Sequence, residues 1–102
     1  MEEVKVAGFS AGNLSVVLSG DIDLGNADAF YQAVMDGYKQ TPGNVVFDCQ
    51  ALNFIDSTTL GTFVKILKAV KSDGYTMKLL GLQPKIKKLF VICSLDSIME
   101  IA

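Results

Sequence analysis

Histidine, arginine and tryptophan are absent from the 102 residues, and proline and cysteine occur only twice each. Each absence closes off a chemistry. Without histidine there is no side chain whose ordinary pKa suits general acid–base work near neutrality, and no imidazole metal ligand. Without arginine there is no planar fork to grip a phosphate or a guanine edge with two hydrogen bonds; all nine cations are lysines. Cys49 and Cys93 stand too far apart for a CxxC redox pair or a metal knuckle and read as buried free thiols. No apolar run approaches the ~18 residues that a membrane span needs, and the opening MEEVKV lacks the basic flank and apolar stretch of a signal peptide. A soluble, cytoplasmic protein with no membrane partner is expected.

What is present is largely apolar. Half of the residues are hydrophobic and 20% are charged, a balance that folds rather than stays disordered. No linker, repeat or low-complexity stretch divides the chain, so residues 1–102 are expected to form a single domain. Charge is uneven: residues 1–56 hold eight acids and two lysines, residues 57–102 three acids and seven lysines. The lysines are spread over several elements with few aromatics between them, which predicts a solvated surface and no nucleic-acid partner.

The hydrophobic pattern alternates between periods of two and of three to four. Val4 and Val6, the turn Ala11-Gly12-Asn13 and the run LSVVLSG predict two strands joined as a hairpin. Over residues 26–38, Ala27, Phe30, Tyr31, Val34 and Tyr38 share one helical face, with Asn26 as its cap. Thr41-Pro42-Gly43-Asn44 is a turn, and the VVF after it suits a short central strand buried on both faces. The chain then passes through Asp48 to NFIDSTTLGTFVKILK, residues 53–68. Here an aspartate and three consecutive hydroxyl residues precede a helix with Leu60, Phe63, Val64, Leu67 and Val70 on its apolar face, ended by Asp73-Gly74.

TMKLLG reads as the next strand, and Pro84 opens a third helix whose apolar face is Ile86, Leu89, Phe90 and Cys93. Residues 97–101 alternate as a last strand. The succession predicts an α/β fold: a mixed, mostly parallel β-sheet with an N-terminal antiparallel hairpin and alternating helices. In such sheets ligands and partners meet the carboxyl ends of the strands. Two segments are expected there: the loop carrying Asp21 and Asp23, and Asp56-Ser57-Thr58-Thr59.

Asp56 and Ser57 do not make a hydrolase, because the serine has no base to take its proton and an aspartate of ordinary pKa is a poor one. The chain is therefore read as no enzyme. Neither GxxxxGK[ST] nor GxGxxG occurs, so nucleotide binding would rest on fold analogy alone. Asp21, Asp23, Asp48 and Asp56 serve as turn and cap residues as readily as magnesium ligands, and no metal or cofactor is expected. Two roles stay open for the hydroxyl cluster. Asp56 or Ser57 caps the helix, or the serine is an acceptor for phosphate, which the helix N-terminus favours. The added charge would then join Asp21, Asp23 and Asp56 and repel a partner fitted to the unmodified patch.

SGDIDLGNA at 19–27, VVFDCQALNFIDSTTLG at 45–61 and GLQPKIKKLFVICSLDSI at 81–98 occur in the order of three family segments. These are a Gly-Glu-Ile-Asp loop, a strand leading to an Asp-Ser-Ser-Gly-Leu-Gly helix start, and a last helix and strand. Over residues 4–101 the chain thus resembles the STAS domain, in particular the single-domain bacterial anti-sigma-factor antagonists. The resemblance implies a phosphorylation-regulated protein-binding module. Unphosphorylated, it would bind a serine-kinase anti-sigma factor and so release a sigma factor. Phosphorylation at Ser57, with Thr58 as second choice, would end binding, and a PP2C-type phosphatase would restore it. The implied contact residues are Asp21, Asp23, Asp56, Ser57, Thr58 and Thr59.

Rival readings are a STAS protein with another regulatory output or signalling platform, and a small-ligand or nucleotide-binding STAS domain. The chain departs from the family pattern in three places. Thr59 replaces a glycine and is expected to add β-branched bulk beside the acceptor. Cys93-Ser94-Leu95 replaces Thr-Gly-Leu, and the second helix is rich in lysine, which points to a different partner.

Overall fold

Alternating residues set up β1 (Val4–Ser10) and β2 (Asn13–Ile22), which pair antiparallel with Ser10 opposite Asn13. The two residues between them, Ala11 and Gly12, take φ of 54° and 81°, the left-handed pair whose twist matches a two-residue hairpin. A computed structural model describes residues 2–102. Beyond the hairpin, α1 (Ala27–Gln40), β3 (Asn44–Ile55), α2 (Ser57–Ser72), β4 (Met77–Leu80), α3 (Pro84–Ile92) and β5 (Glu100–Ile101) alternate. The strands form one sheet in the order β1-β2-β3-β4-β5, antiparallel at β1–β2 and parallel thereafter. The expected α/β architecture, with its N-terminal hairpin and mostly parallel sheet, is the observed one.

Phe63 of α2 is the centre of the core. Its ring lies 5.1 Å from Phe30 of α1, 5.4 Å from Phe47 of β3 and 5.4 Å from Phe90 of α3, each edge-on, the arrangement aromatic quadrupoles favour. One side chain of α2 thus touches the other two helices and the central strand, so the helices gather on one face of the sheet. Val45, Phe47 and Cys49 of β3 are buried against them, while Val46 and Asp48 between are half-buried on the other face. A strand covered on both faces was expected; the one-sided helix layer instead gives β3 the alternation of a half-covered strand.

β3 is also longer than the VVF run suggests, because two irregularities carry it on. Val17 stands opposite Asp48, but Ser19 faces Ala51 and Asp21 faces Phe54, so β3 gains two residues on β2. These are bulges. They change the burial spacing from two to three, and Cys49, Leu52 and Ile55 are the buried residues of this half.

At the carboxyl end the structure corrects three expectations. Of the apolar face of α3, Ile86 and Phe90 are buried, but Leu89 is 36% exposed and Cys93, past the last turn, is in solvent. Only Cys49 is a buried thiol, pushed up to about 12 by burial and then by the charge of Asp48, and so kept unreactive. Residues 97–101 are not one strand: a 3₁₀ turn at Leu95–Ser97 comes first, and only Glu100–Ile101 pairs with β4.

That turn starts at Ser94, whose φ of 58° is left-handed. It occupies the position after a helix end where glycine is at ease and a Cβ is crowded. Replacing Ser94→Gly is expected to raise stability by about 0.5–1 kcal/mol, read as a higher midpoint in urea unfolding with unchanged slope.

Candidate functional site

Ile22 is paired with Ile55, so β2 and β3 leave the sheet side by side, one into residues 23–26 and the other into Asp56. The Asp56 carboxylate joins the two exits. Its Oδ1 accepts the backbone N–H of Thr59 at 3.0 Å, capping α2, and its Oδ2 accepts the N–H of Leu24 at 2.9 Å. These bonds hold the carboxyl below its ordinary 3.8, the Thr59 N–H contributing most, against a partial desolvation that raises it. Asp56, not Ser57, is the cap.

The neighbouring loop is tied by its own short side chains. The Asp23 N–H donates to Asn26 Oδ1 at 2.8 Å, the Gly25 N–H to Asp23 Oδ1 at 2.9 Å, and Asn26 Nδ2 to the Asp21 carbonyl at 3.0 Å. Asn26, expected to cap α1, precedes that helix but makes no side-chain bond to it, because both ends of its amide are engaged in the loop. Asp21 is exposed and Asp23 is half-buried beside the highly exposed Leu24.

Of the three hydroxyl residues, Ser57 and Thr58 are exposed on the first turn of α2 and Thr59 is fully buried. The Thr59 hydroxyl donates to the Ile22 carbonyl at 2.6 Å, with its oxygen 3.1 Å from Asp56 Oδ1. Expected at the partner surface and as bulk beside the acceptor, Thr59 turns inward and bonds the start of α2 to the end of β2. The structure therefore brings Asp21, Asp23, Asp56, Ser57 and Thr58 to one surface and sets Thr59 beneath it. Asp48 lies elsewhere, where its Oδ1 accepts the Gln50 N–H at 3.1 Å in a β3 bulge.

Behind the first turn, α2 exposes Lys65, Lys68 and Lys71 and carries no acid. Lys65 Nζ lies 4.4 Å from the centre of the Tyr31 ring, a cation–π contact that fixes its stem across α1. Sequence patterning missed an apolar part of this end. Leu24 is 76% and Phe54 49% exposed, and a cavity of about 200 Å³ lies between residues 53–55 and Lys85, Ile86 and Leu89 of α3. The available signal was Phe54 itself, which falls outside the spacing of Leu52 and Ile55. Among the described residues no three His, Cys, Asp or Glu side chains gather as a metal site, and no helix is long and apolar enough to cross a membrane.

The fold and its end define a small α/β domain whose exposed serine opens a helix at the carboxyl edge of a mixed sheet. The model of the STAS domain matches residues 6–102, and the chain belongs to that family. A Listeria monocytogenes protein named anti-sigma-B factor antagonist is 30% identical over 90 residues, covering 87% of this chain and 78% of that protein. A putative anti-sigma factor antagonist of Thermotoga maritima, 24% identical, superposes with a TM-score of 0.83 over 96% of this chain and 82% of that one. The Bacillus cell fate determinant SpoIIAA, solved in its phosphorylated form, is 16% identical with a TM-score of 0.76, over 97% and 90%. The last two likenesses bear on the fold.

Two outcomes test this geometry. Thr59→Val keeps the shape but removes the donor to Ile22, and is expected to lose about 1–3 kcal/mol in urea unfolding. Because the Asp56 carboxyl is held below its unfolded value, its contribution to stability is complete above the ordinary carboxylate pKa of ~4 and disappears as pH falls through the folded value. Asp56→Asn should therefore melt below wild type at pH 7, with the gap narrowing as pH falls below about 4.

Proposed function

We propose that this STAS domain is an anti-sigma-factor antagonist whose binding is switched by phosphate on Ser57. The observation that carries the reading is an exposed serine at the first position of α2, one residue after a capping aspartate that also holds the Asp21–Asp23 loop beside it. The names of the relatives support the class of partner. In the unphosphorylated state the acidic loop and the first turn of α2, with Asp21, Asp23, Asp56, Ser57 and Thr58, would meet a serine-kinase anti-sigma factor and so free a sigma factor. A PP2C-type phosphatase would reset the switch.

The physics of the step is local. The N–H groups of Ser57 and Thr58 open the helix and lie where four N–H groups have no intrahelical partner, so a phosphate there is tolerated by the fold. It brings nearly two negative charges next to Asp56, Asp21 and Asp23, and a partner complementary to the unmodified surface is repelled. Catalysis by the domain itself is not proposed. Asp56, the one carboxyl adjacent to Ser57, has both oxygens engaged by N–H donors and is a weakened base.

The test is co-purification of the anti-sigma factor from the native cell on immobilised wild type, Ser57→Ala and Ser57→Asp, with mass spectrometry of the wild-type protein. Ser57→Ala should retain the kinase and Ser57→Asp should bind it at least about tenfold more weakly. Thermal midpoints of the two variants should stay within a few degrees of wild type, since Ser57 is exposed. Equal capture by all three, with no phosphate on Ser57 or Thr58, overturns the switch.

A further inference from the structure

The same end of the molecule carries both a knob and a hole. Leu24 is 76% exposed, more than any other large hydrophobic side chain among the described residues. It stands on a loop whose N–H groups donate to the side chains of Asp56, Asp23 and Asn26, so seating it elsewhere orders little that is not already ordered. The hole is the cavity of about 200 Å³ at the end of β3, walled by Phe54, Ile55, Ile86 and Leu89. Its α3 wall is kept against β3 by the bond from Gln83 Nε2 to Asn53 Oδ1 at 3.2 Å. An aliphatic side chain fits it.

Charge matches the two. Asp21 and Asp23 flank the knob, whereas Lys85 lines the hole and Lys87 and Lys88 follow it on a helix that has no acid. We propose that two copies of this chain associate through this end, Leu24 of each copy seated in the other's groove between β3 and α3. Both features sit at the carboxyl ends of adjacent parallel strands, so a twofold axis roughly perpendicular to the strands sets the two ends face to face and each knob against the other copy's groove. One contact then implies the second, and the assembly closes as a dimer. A different protein or an anionic bilayer would need complementarity from outside, whereas here both halves are in one sequence.

The arrangement hides the serine. Asp56 is bonded to Leu24, and Phe54 is three residues before Ser57, so the acceptor lies between knob and hole. Self-association withholds Ser57 from any modifying enzyme and competes with any partner that uses this end. This inference concerns the unmodified protein alone and does not rest on the kinase reading.

Sedimentation equilibrium across roughly 10 µM to 1 mM protein tests it on the full chain. Wild type should pass from monomer to dimer, less readily at high salt because the contact is charge-assisted. Leu24→Asp and Leu89→Asp should each weaken association at least about tenfold, and Lys85→Glu, on an exposed side chain, should weaken it several-fold. An equimolar mixture of Leu24→Asp and Leu89→Asp should regain association, since it contains one intact knob and one intact groove. Phe9→Asp, on the far edge strand, should change nothing. A monomer throughout, a dimer that persists in all groove and knob variants, or one lost only in Phe9→Asp overturns the proposal. So does binding of the monomer to phosphatidylglycerol vesicles through Leu89 without self-association.

Discussion

The parallel pairing of β2 with β3 is the constraint on which the functional end depends. Its two bulges let β3 gain two residues on β2 while Ile22 and Ile55 still meet as a buried pair. A gain of one residue would have turned Ile55 to the open face, since strand side chains alternate. Gaining two restores the facing and delays the end of β3 until Asp56 stands level with the loop after β2. The bulges thus decide which residues become neighbours before any side chain at the site forms a bond, as bulges beside functional sites commonly do.

Given that alignment, two side chains divide the task of fixing the site. Asp56 links the exits laterally through backbone N–H groups of α2 and of the loop. Thr59 links α2 downward to the last residue of β2. The N–H groups of Leu24 and Thr59 and the Thr59 hydroxyl are thus satisfied internally, and the side chains of Ser57 and Thr58 are left at the surface. A glycine at position 59 would leave Asp56 as the sole side-chain tie between the two exits, so the threonine makes this helix start more rigid. A rigid start suits recognition, because little ordering entropy is then lost on binding.

Much of this was legible in the sequence because it depended on local patterns. The hairpin and the three helices follow from period and turn chemistry, and capping preference narrows the cap of α2 to Asp56 or Ser57. What was missed depended on partners distant in sequence. The second half of β3 reads as a passage because the bulges give Cys49, Leu52 and Ile55 a spacing of three, which fits neither a strand nor a helix. Thr59 reads as a surface hydroxyl because nothing nearby announces that its acceptor is the carbonyl of Ile22. Asn26 reads as a helix cap because the preference for asparagine is the same at a cap and in a loop that folds back on itself. Ser94 had a usable signal, since its departure from a family glycine falls on a left-handed residue.

Charge completes the logic of the end. α2 exposes three lysines and no acid, α3 likewise, while the loop and cap at their head are acidic. The surface near Ser57 is therefore a boundary between two fields of opposite sign. A charge placed on a boundary acts on both sides: it deepens the acidic field and offsets the basic one. Phosphate at Ser57 would alter complementarity to a partner more than the same group set within either field, where it would only strengthen or only weaken an existing sign. The lysine-rich second helix would thus add to the sensitivity of that position to phosphate.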